Sequence, residues 1–217
     1  MKTNNVNAVQ SYGWDSELPP CSCGFILPHV LAILKTKKIG SVLDIGCGNG
    51  FLCAALHKEG YKVAGVEYDS NGYEIARKTY PMIHFYQGSI YDSPDALCSA
   101  YPERFDCVIS TEVIEHLYSP AKLPLFAKKL LKPNGFLIIS TPYHGYLKCL
   151  LISLLAKYDA HHDVLWEGGH IKFWSRKTLS TLLKNTGFNV IGFHGCGRFP
   201  YLWKSMVVVA QKQCDLT

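Results

Sequence analysis

The stretch DIGCGNG, from Asp44 to Gly50, places a carboxylate and three glycines directly after an apolar run. Glycine lacks a Cβ, so Gly46, Gly48 and Gly50 predict a turn whose backbone a ligand can approach closely. A dinucleotide-binding G-x-G-x-x-G turn would carry its third glycine at Phe51, which weakens the interpretation as a nicotinamide oxidoreductase. A tight strand-to-helix connection without a ligand is the other alternative.

A second carboxylate follows at a suitable spacing. The run KVAGVEY contains Glu67, which lies 23 residues after Asp44. A carboxylate at the tip of the second strand of an open α/β sheet can accept hydrogen bonds from both ribose hydroxyl groups. The alternative is a solvated strand end, but the two matches together favour a nucleoside-containing ligand.

These residues need strands that end side by side. Short apolar runs alternate with segments typical of helices, which indicates a parallel sheet with helical crossovers. Two later runs are joined by a short connection, which predicts an antiparallel final pair. The predicted strands are Ser41–Ile45, Lys62–Tyr68, Ile83–Gln87, Phe105–Thr111, Gly135–Thr141, Asn189–His194 and Ser205–Ala210.

Residue types at helix ends predict two helix boundaries. Ser119 followed by Pro120 is typical of a helix start, and KPNG at residues 132–135 is typical of its stop. Ser175 and Gly187 bracket a second helix in the same way.

The motif D-x-G-x-G-x-G resembles motif I of the class I S-adenosylmethionine-dependent methyltransferases. The segment from Phe105 to Pro142 resembles the fourth and fifth strands of that family, and is most similar to the ubiquinone-biosynthesis type of O-methyltransferase. The resemblance implies a Rossmann-like, three-layer α/β/α fold. Its sheet would have seven mostly parallel strands, with the last strand antiparallel.

The same resemblance implies the cofactor S-adenosylmethionine, with S-adenosylhomocysteine as product. Asp44 would face the ammonium group, Glu67 the ribose and Tyr68 the adenine. Ser89 stands where many members have Asp, so a backbone group is the alternative donor or acceptor for the adenine edge. The predicted cofactor-binding residues are Asp44, Gly46, Gly48, Gly50, Glu67, Tyr68, Ser89 and Thr111.

Methyl transfer to a hydroxyl group benefits from a general base, and histidine suits neutral pH. His116 ends the segment EVIEH, in which Glu112, Glu115 and His116 would share one face if a helix began by Glu112. In metal-dependent relatives such a face binds a divalent cation, and His170 would be a fourth ligand. Many metal-free relatives keep a similar segment in a structural role, and we assign no metal.

His170 follows two glycines at a place where a lid could hinge. A capping or buried structural histidine is the alternative there. His161 and His162 are further candidates for a base or a metal pair, although adjacent histidines on a polar loop are usually solvated. We take His116 and His170 as the catalytic candidates.

The chain has 217 residues, 48% of them hydrophobic, which suits a single methyltransferase domain over 1–217. We expect an N-terminal helical cap over 1–38 and an inserted acceptor lid over 142–174. The lid contains the apolar stretch from Tyr146 to Tyr158, for which burial is the default and a lipophilic acceptor the sharper hypothesis. Packing in a dimer and docking on a membrane surface are further alternatives.

The net charge of +5 is scattered along the chain and does not by itself argue for an anionic partner. No basic and aromatic tract is present, so no nucleic-acid partner is expected. The nine cysteines, mostly in apolar runs, and the lack of a signal sequence or membrane span predict a cytoplasmic protein of unknown oligomeric state.

Together these features predict an S-adenosylmethionine-dependent methyltransferase. Its acceptor would be small, hydroxyl-bearing and partly apolar, with O-methylation favoured. Two alternatives stay open, namely a regulatory protein that binds the cofactor without turnover and an NAD-type Rossmann oxidoreductase.

Overall fold

The strands form where short, often β-branched apolar runs allow burial on both faces of a sheet. The computed structural model describes residues 12–162, 164–166 and 168–213. Its seven strands are β1 Ser41–Ile45, β2 Lys62–Glu67, β3 His84–Gln87, β4 Phe105–Thr111, β5 Leu131–Pro142, β6 Phe188–Cys196 and β7 Ser205–Lys212.

The described residues form eight α-helices between these strands. A short 3-10 helix, Ile114–His116, follows β4. The α-helices are α1 Cys23–Thr36, α2 Phe51–Lys58, α3 Ser70–Thr79, α4 Asp95–Ala100, α5 Lys122–Leu130, α6 Tyr146–Leu154, α7 Tyr158–His161 and α8 Arg176–Asn185. None of these helices combines the length and apolar character that crossing a bilayer requires.

The strand order is β3-β2-β1-β4-β5-β7-β6. β1 runs parallel to both β2 and β4. The chain adds β2 and β3 on one side of β1 and then β4 and β5 on the other, so the direction of strand addition reverses between β1 and β4. In open α/β sheets this reversal opens a crevice beyond the carboxyl ends of the strands, where ligands bind. β7 runs antiparallel to β5 and β6, which confirms the predicted fold class and its antiparallel last strand.

Alternation along the central strands builds a core on each face of the sheet. In β4, Val108 packs into a cluster that includes Leu123 of α5 and Leu179 of α8. The next residue, Ile109, packs into a second cluster that includes Val30 of α1. The strands are thus covered on both sides, which confirms the predicted three-layer arrangement.

The two predicted helix boundaries have different outcomes. α8 begins as predicted, because the side chain of Ser175 accepts from Thr178 N in a capping box, and Gly187 follows its end with φ +86°. The predicted start of α5 at Ser119 is wrong. A turn closed by Lys122 N and Ser119 O comes first, and α5 starts at Lys122 without a side-chain cap.

The predicted stop of α5 is also displaced. α5 ends at Leu130 and β5 begins at the next residue, so KPNG lies within the first part of β5. Of the proposed cap over 1–38, residues 1–11 lie outside the described residues, and α1 occupies much of the remainder. The proposed lid over 142–174 contains α6 and α7. Both subdivisions stay predictions.

Asp106 joins the first residues of three neighbouring strands. Its Oδ2 accepts from Gly40 N at 3.0 Å and from Ser41 N at 2.8 Å, and Lys132 Nζ donates to its Oδ1 at 2.7 Å. Partial burial disfavours the charged form, but these hydrogen bonds, the one from Lys132 foremost, outweigh it. The pKa of Asp106 is lowered to about 2.

We predict that Asp106→Asn lowers the free energy of unfolding by about 1.5–3 kcal/mol, the range for hydrogen bonds to a charged group. Because the folded pKa lies below the unfolded value of about 3.9, this contribution is present above pH 4 and is lost as pH falls through about 2.

Urea denaturation of both proteins as a function of pH measures the difference. The control is Glu103→Gln, which changes the same charge at an exposed neighbouring carboxyl. Equal stability of Asp106→Asn and the wild type at pH 7 would contradict the prediction.

Candidate active site

The glycine-rich turn leaves β1 at the strand-order reversal. Gly46, Gly48 and Gly50 all have positive φ, at +74°, +55° and +80°. At Gly48 the requirement is also steric, because a Cβ there would overlap the indole ring of Trp14. The predicted close approach therefore exists, and in this structure it is made by an aromatic side chain of the chain itself.

Asp44 lies at the carboxyl end of β1 and is 1% exposed. Its Oδ2 accepts a hydrogen bond from Cys53 Sγ at 3.5 Å, while Oδ1 has no partner among the described residues. Burial raises the pKa of Asp44 to about 7. A buried carboxylate oxygen without a partner is costly unless a ligand supplies a donor. The ammonium group of S-adenosylmethionine is a donor of this kind, so Asp44 fits that cofactor.

Glu67 ends β2 and is 6% exposed. Its Oε2 accepts from Gly48 N at 2.6 Å and its Oε1 from Asp69 N at 2.7 Å. Burial raises its pKa, and these two hydrogen bonds oppose the rise. A carboxylate offers about four acceptor positions. Glu67 can therefore hold the turn and still accept from ribose hydroxyl groups.

The remaining predicted cofactor residues lie at or just beyond the ends of the neighbouring strands. Tyr68 comes directly after β2 and is 45% exposed, as a residue facing a ligand requires. Ser89 lies in the turn after β3, where its hydroxyl accepts from Tyr91 N and its own N–H donates to Asp92. Thr111 is the last residue of β4. The roles of these side chains stay predictions.

An N-terminal strap, residues 12–18, was missed by sequence reasoning. Tyr12 N donates to Asp69 Oδ2 at 2.6 Å, and Asn49 Nδ2 donates to the carbonyl oxygens of Ser16 and Leu18 at 2.9 and 2.8 Å. The ring of Tyr12 meets that of His116 edge-on at 5.4 Å. The strap thus connects the glycine-rich turn to His116. Two aromatic residues in a polar stretch were its sole sequence signal.

His116 is held in one orientation by the backbone of the lid. Its Nδ1 lies 2.6 Å from Gly168 O and 3.2 Å from Gly169 O. A carbonyl oxygen only accepts, so Nδ1 carries the proton and Nε2 keeps a lone pair in the neutral ring. Burial lowers the pKa of His116, against the effect of the two carbonyl groups. The neutral form with a free Nε2 is therefore favoured at neutral pH.

Glu115 and His170 adjoin His116. Potential ligand atoms of the three residues lie within 4.8 Å of one another. Glu115 is fully buried, with Oε2 bonded to Thr141 Oγ1 and Oε1 without a partner among the described residues. Burial, followed by nearby Glu112, raises its pKa well above the usual value. The two catalytic candidates are brought together, and their surroundings can also hold a divalent cation.

Glu112 does not share the predicted helical face. It has φ +55° and precedes the 3-10 helix, which begins only at Ile114. Its carboxylate accepts from Ser140 Oγ at 2.8 Å and Ser205 Oγ at 3.1 Å. The face predicted from the i, i+3, i+4 spacing is therefore wrong, because the backbone turns before the helix starts.

The other lid histidines lie in an aromatic cluster. His162 stacks on His144 with ring centroids 5.8 Å apart, and Phe173 meets both rings edge-on. His161 and His162, for which solvation was the usual expectation, both line a cavity beside the lid. Burial foremost, then the charge of Lys148, lowers the pKa of each.

The expectation that α6 would be buried is wrong. Its one buried residue is Lys148, whereas Tyr146 and Leu154 are 84% and 71% exposed. The helix is apolar nearly all round, so the sequence did not indicate which face would be buried. In the structure Lys148 turns inward, because its Nζ donates to the carbonyl oxygens of Tyr143 and Lys204. A lipophilic acceptor or membrane surface at α6 stays a prediction.

Comparison with known proteins agrees with this geometry. The family model of the methyltransferase domain matches residues 24–192. The ubiquinone biosynthesis O-methyltransferase of Roseobacter denitrificans is 28% identical over 202 residues, covering 86% of this chain and 77% of that protein. The one from Actinobacillus pleuropneumoniae serotype 7 is 32% identical over 121 residues, covering 54% of this chain and 52% of that protein. The chain thus spans about half the length of several relatives that it matches.

The fold also matches a solved methyltransferase. The magnesium protoporphyrin IX methyltransferase from Synechocystis PCC 6803, with bound S-adenosylhomocysteine, has a TM-score of 0.65 and 17% identity, covering 87% of this chain and 82% of that one. At this identity the match shows the fold alone. With the family model spanning most of the chain, the predicted family is confirmed: the chain belongs to the methyltransferase-domain family of S-adenosylmethionine-dependent enzymes.

Proposed function

We propose that this chain transfers the methyl group of S-adenosylmethionine to a hydroxyl oxygen of a small acceptor. The observation that carries the proposal is the orientation of His116, whose Nδ1–H is held by Gly168 O so that Nε2 is free to accept a proton. The resemblance to ubiquinone biosynthesis O-methyltransferases supports oxygen as the methylated atom.

The cofactor supplies an electrophilic methyl group on a sulfonium centre. The buried carboxylate of Asp44 would hold the ammonium end, and Glu67 would accept hydrogen bonds from the ribose hydroxyl groups. Tyr68 would cover the adenine ring, while Ser89 and Thr111 would line the crevice. These side chains lie at or just beyond the carboxyl ends of β1, β2, β3 and β4, so the parallel register of the strands brings them to one edge of the sheet.

His116 acts on the acceptor. Nε2 takes the proton of the acceptor hydroxyl group as the oxygen forms its new bond to the methyl carbon and the bond from that carbon to sulfur breaks. The products are a neutral ether, an imidazolium ring and S-adenosylhomocysteine. His170 lies beside it, with ring centroids 4.9 Å apart, and orients the acceptor. The ring of Tyr12 also meets that of His116 edge-on, at 5.4 Å, and helps to exclude water there. The exposed apolar side chains of α6 support a partly apolar acceptor.

A metal-dependent form of the same reaction is the second candidate. The unpartnered Oε1 of Glu115, together with His116 and His170, would hold a divalent cation. Such a cation supplies Lewis-acid activation of a hydroxyl group. In that case Nε2 of His116 is a ligand and no longer a base, so the two candidates predict different responses to chelation.

We predict that Asp44→Asn raises the dissociation constant of S-adenosylhomocysteine about 10- to 100-fold, because an ammonium group loses a charged partner. The ionised fraction of Asp44 increases as pH rises through about 7, so wild-type affinity should increase over that range and the affinity of the variant should not.

Calorimetric titration measures both effects. Asp106→Asn is the matched control, because it removes a carboxylate at the opposite ends of the strands and should leave cofactor affinity unchanged. An Asp44→Asn protein that binds like the wild type would remove Asp44 from the ammonium site.

We predict that His116→Ala lowers kcat about 10²- to 10⁴-fold, the usual contribution of a general base, without changing cofactor affinity. Catechol and 3,4-dihydroxybenzoate serve as hydroxyl-bearing probe acceptors, with methylated product measured by mass spectrometry. His57→Ala, at an exposed position on α2, is the control.

The same assay separates the two candidates. Wild-type activity that survives EDTA supports His116 as the base, whereas loss on chelation and recovery with Mg²⁺ supports the cation. Wild-type kcat in His116→Ala would contradict both. Binding of S-adenosylmethionine without methylation of either probe would refute the proposed reaction on such acceptors.

A further inference from the structure

A cavity of about 260 Å³ lies between the lid and the connection from β6 to β7. The lid contributes Lys148 and four imidazole rings to its wall, and the connection contributes Arg198 and Lys204. None of the described residues that line it is acidic. The cavity therefore concentrates cations and N–H donors without a carboxylate of the described chain to neutralise them.

Lys148 is the central cation. It is 5% exposed, and its Nζ donates to Tyr143 O at 2.8 Å and more weakly to Lys204 O at 3.4 Å. An ammonium group has three donors, so one is left for a ligand. No carboxylate of the described residues lies within 4.0 Å of Nζ. The carboxylate of Glu112 lies farther away and attracts the ammonium group of Lys148, which favours its charged form. Its two oxygens already accept hydrogen bonds from Ser140 and Ser205.

Burying an ammonium group without a counter-ion is expensive. Burial lowers the pKa of Lys148 to about 8, and the positive charge of Arg198 also acts in this direction. Burial and then Lys148 lower the pKa of His144 to about 4. The imidazole ring of His144 is thus neutral at pH 7, and a neutral ring can donate one N–H group to a hydrogen-bond acceptor.

We propose that this cavity binds a carboxylate or phosphate group of the acceptor molecule, through Lys148, Arg198 and the N–H groups of the lid histidines. That the bound molecule is the methyl acceptor rests on the proposed methyl transfer, whereas the anion subsite rests on the residues of the cavity itself. Arg198 is exposed, and its guanidinium makes no ion pair with a described residue, so it is available to pair with the anion.

His170 connects this subsite to the proposed base. It lines the cavity, and its ring lies 4.9 Å from that of His116. The anionic group and the reacting hydroxyl group of one acceptor are thus separated by about one imidazole ring. The substrate class is a small hydroxylated acid or phosphate ester, with the anion and the hydroxyl group at opposite ends of a short rigid frame.

The test compares matched probes by calorimetry on the full chain, with and without S-adenosylhomocysteine. The carboxylate pair is 3,4-dihydroxybenzoate and its neutral amide, and the phosphate pair is phenyl phosphate and phenol. We expect the anionic member of at least one pair to bind about 10-fold or more tightly than its neutral member, and the pair that does so identifies the anion.

Arg198→Gln should reduce that preference to about 3-fold or less while the neutral probes bind as before. The matched control is Arg77→Gln, which makes the same charge change at an exposed arginine paired with Glu74 on α3. A preference retained in Arg198→Gln, or lost equally in Arg77→Gln, would overturn the role of Arg198 and the subsite with it. Equal binding within both pairs would also overturn the subsite.

This readout is independent of methyl transfer. Selective binding of an anion without methylated product would support the subsite and count against the proposed reaction. Equal methylation of the acid and its amide, with no difference in binding, would support the reaction and overturn the subsite. The two proposals therefore fail in distinguishable ways.

Discussion

The candidate active site depends on the hydrogen bonds of one buried carboxylate, that of Glu67. One oxygen accepts from Gly48 N and the other from Asp69 N, so the side chain ties the glycine-rich turn to the end of β2. Asp69 then caps α3 through Gly72 N and receives Tyr12 N of the strap. The turn, the helix start and the N-terminal strap are thus positioned through one side chain. Because charge-assisted hydrogen bonds are stronger than neutral ones, a carboxylate suits this position better than an amide.

Two other buried carboxylates are less well satisfied. Asp44 and Glu115 each keep one oxygen without a partner among the described residues, and burial raises the pKa of both. Unpaired buried polar atoms cost stability, and natural proteins retain them mainly where function requires them. One lies at the cofactor side of the crevice and the other beside His116. The two unpartnered carboxylate oxygens thus lie where a ligand would satisfy them. The ammonium group of the cofactor would donate to Asp44, and a donor or a cation would bind Glu115.

Much of the fold could be predicted from the sequence, because its signals are local. The runs Ser41–Ile45 and Phe105–Thr111 match their strands residue for residue, and the positive φ angles of the glycine-rich turn agree with its composition. The site was less predictable where tertiary contacts decide. The i, i+3, i+4 spacing at Glu112 assumed a continuous helix, but positive φ at that residue separates it from Glu115. The strap was missed because no periodic pattern marks residues 12–18, whose placement depends on Asp69 and Asn49.

The orientation of α6 shows the same limit and links the lid to the sheet. Pairing of Pro142 with Ser205 places Tyr143 and Lys204 side by side, just beyond β5 and β7, where Tyr143 N donates to Lys204 O at 3.0 Å. The carbonyl oxygens of both residues are then close enough to receive one ammonium group, and Lys148 fills that position. Leu147, Leu150 and Leu154 of α6 are consequently exposed, since the lysine fixes the rotation of the helix. The positive residues are scattered along the sequence, but the fold brings Lys148 and Arg198 together at the cavity. The antiparallel pairing of β5 with β7 contributes to this, because it places the two carbonyl groups that bind Lys148.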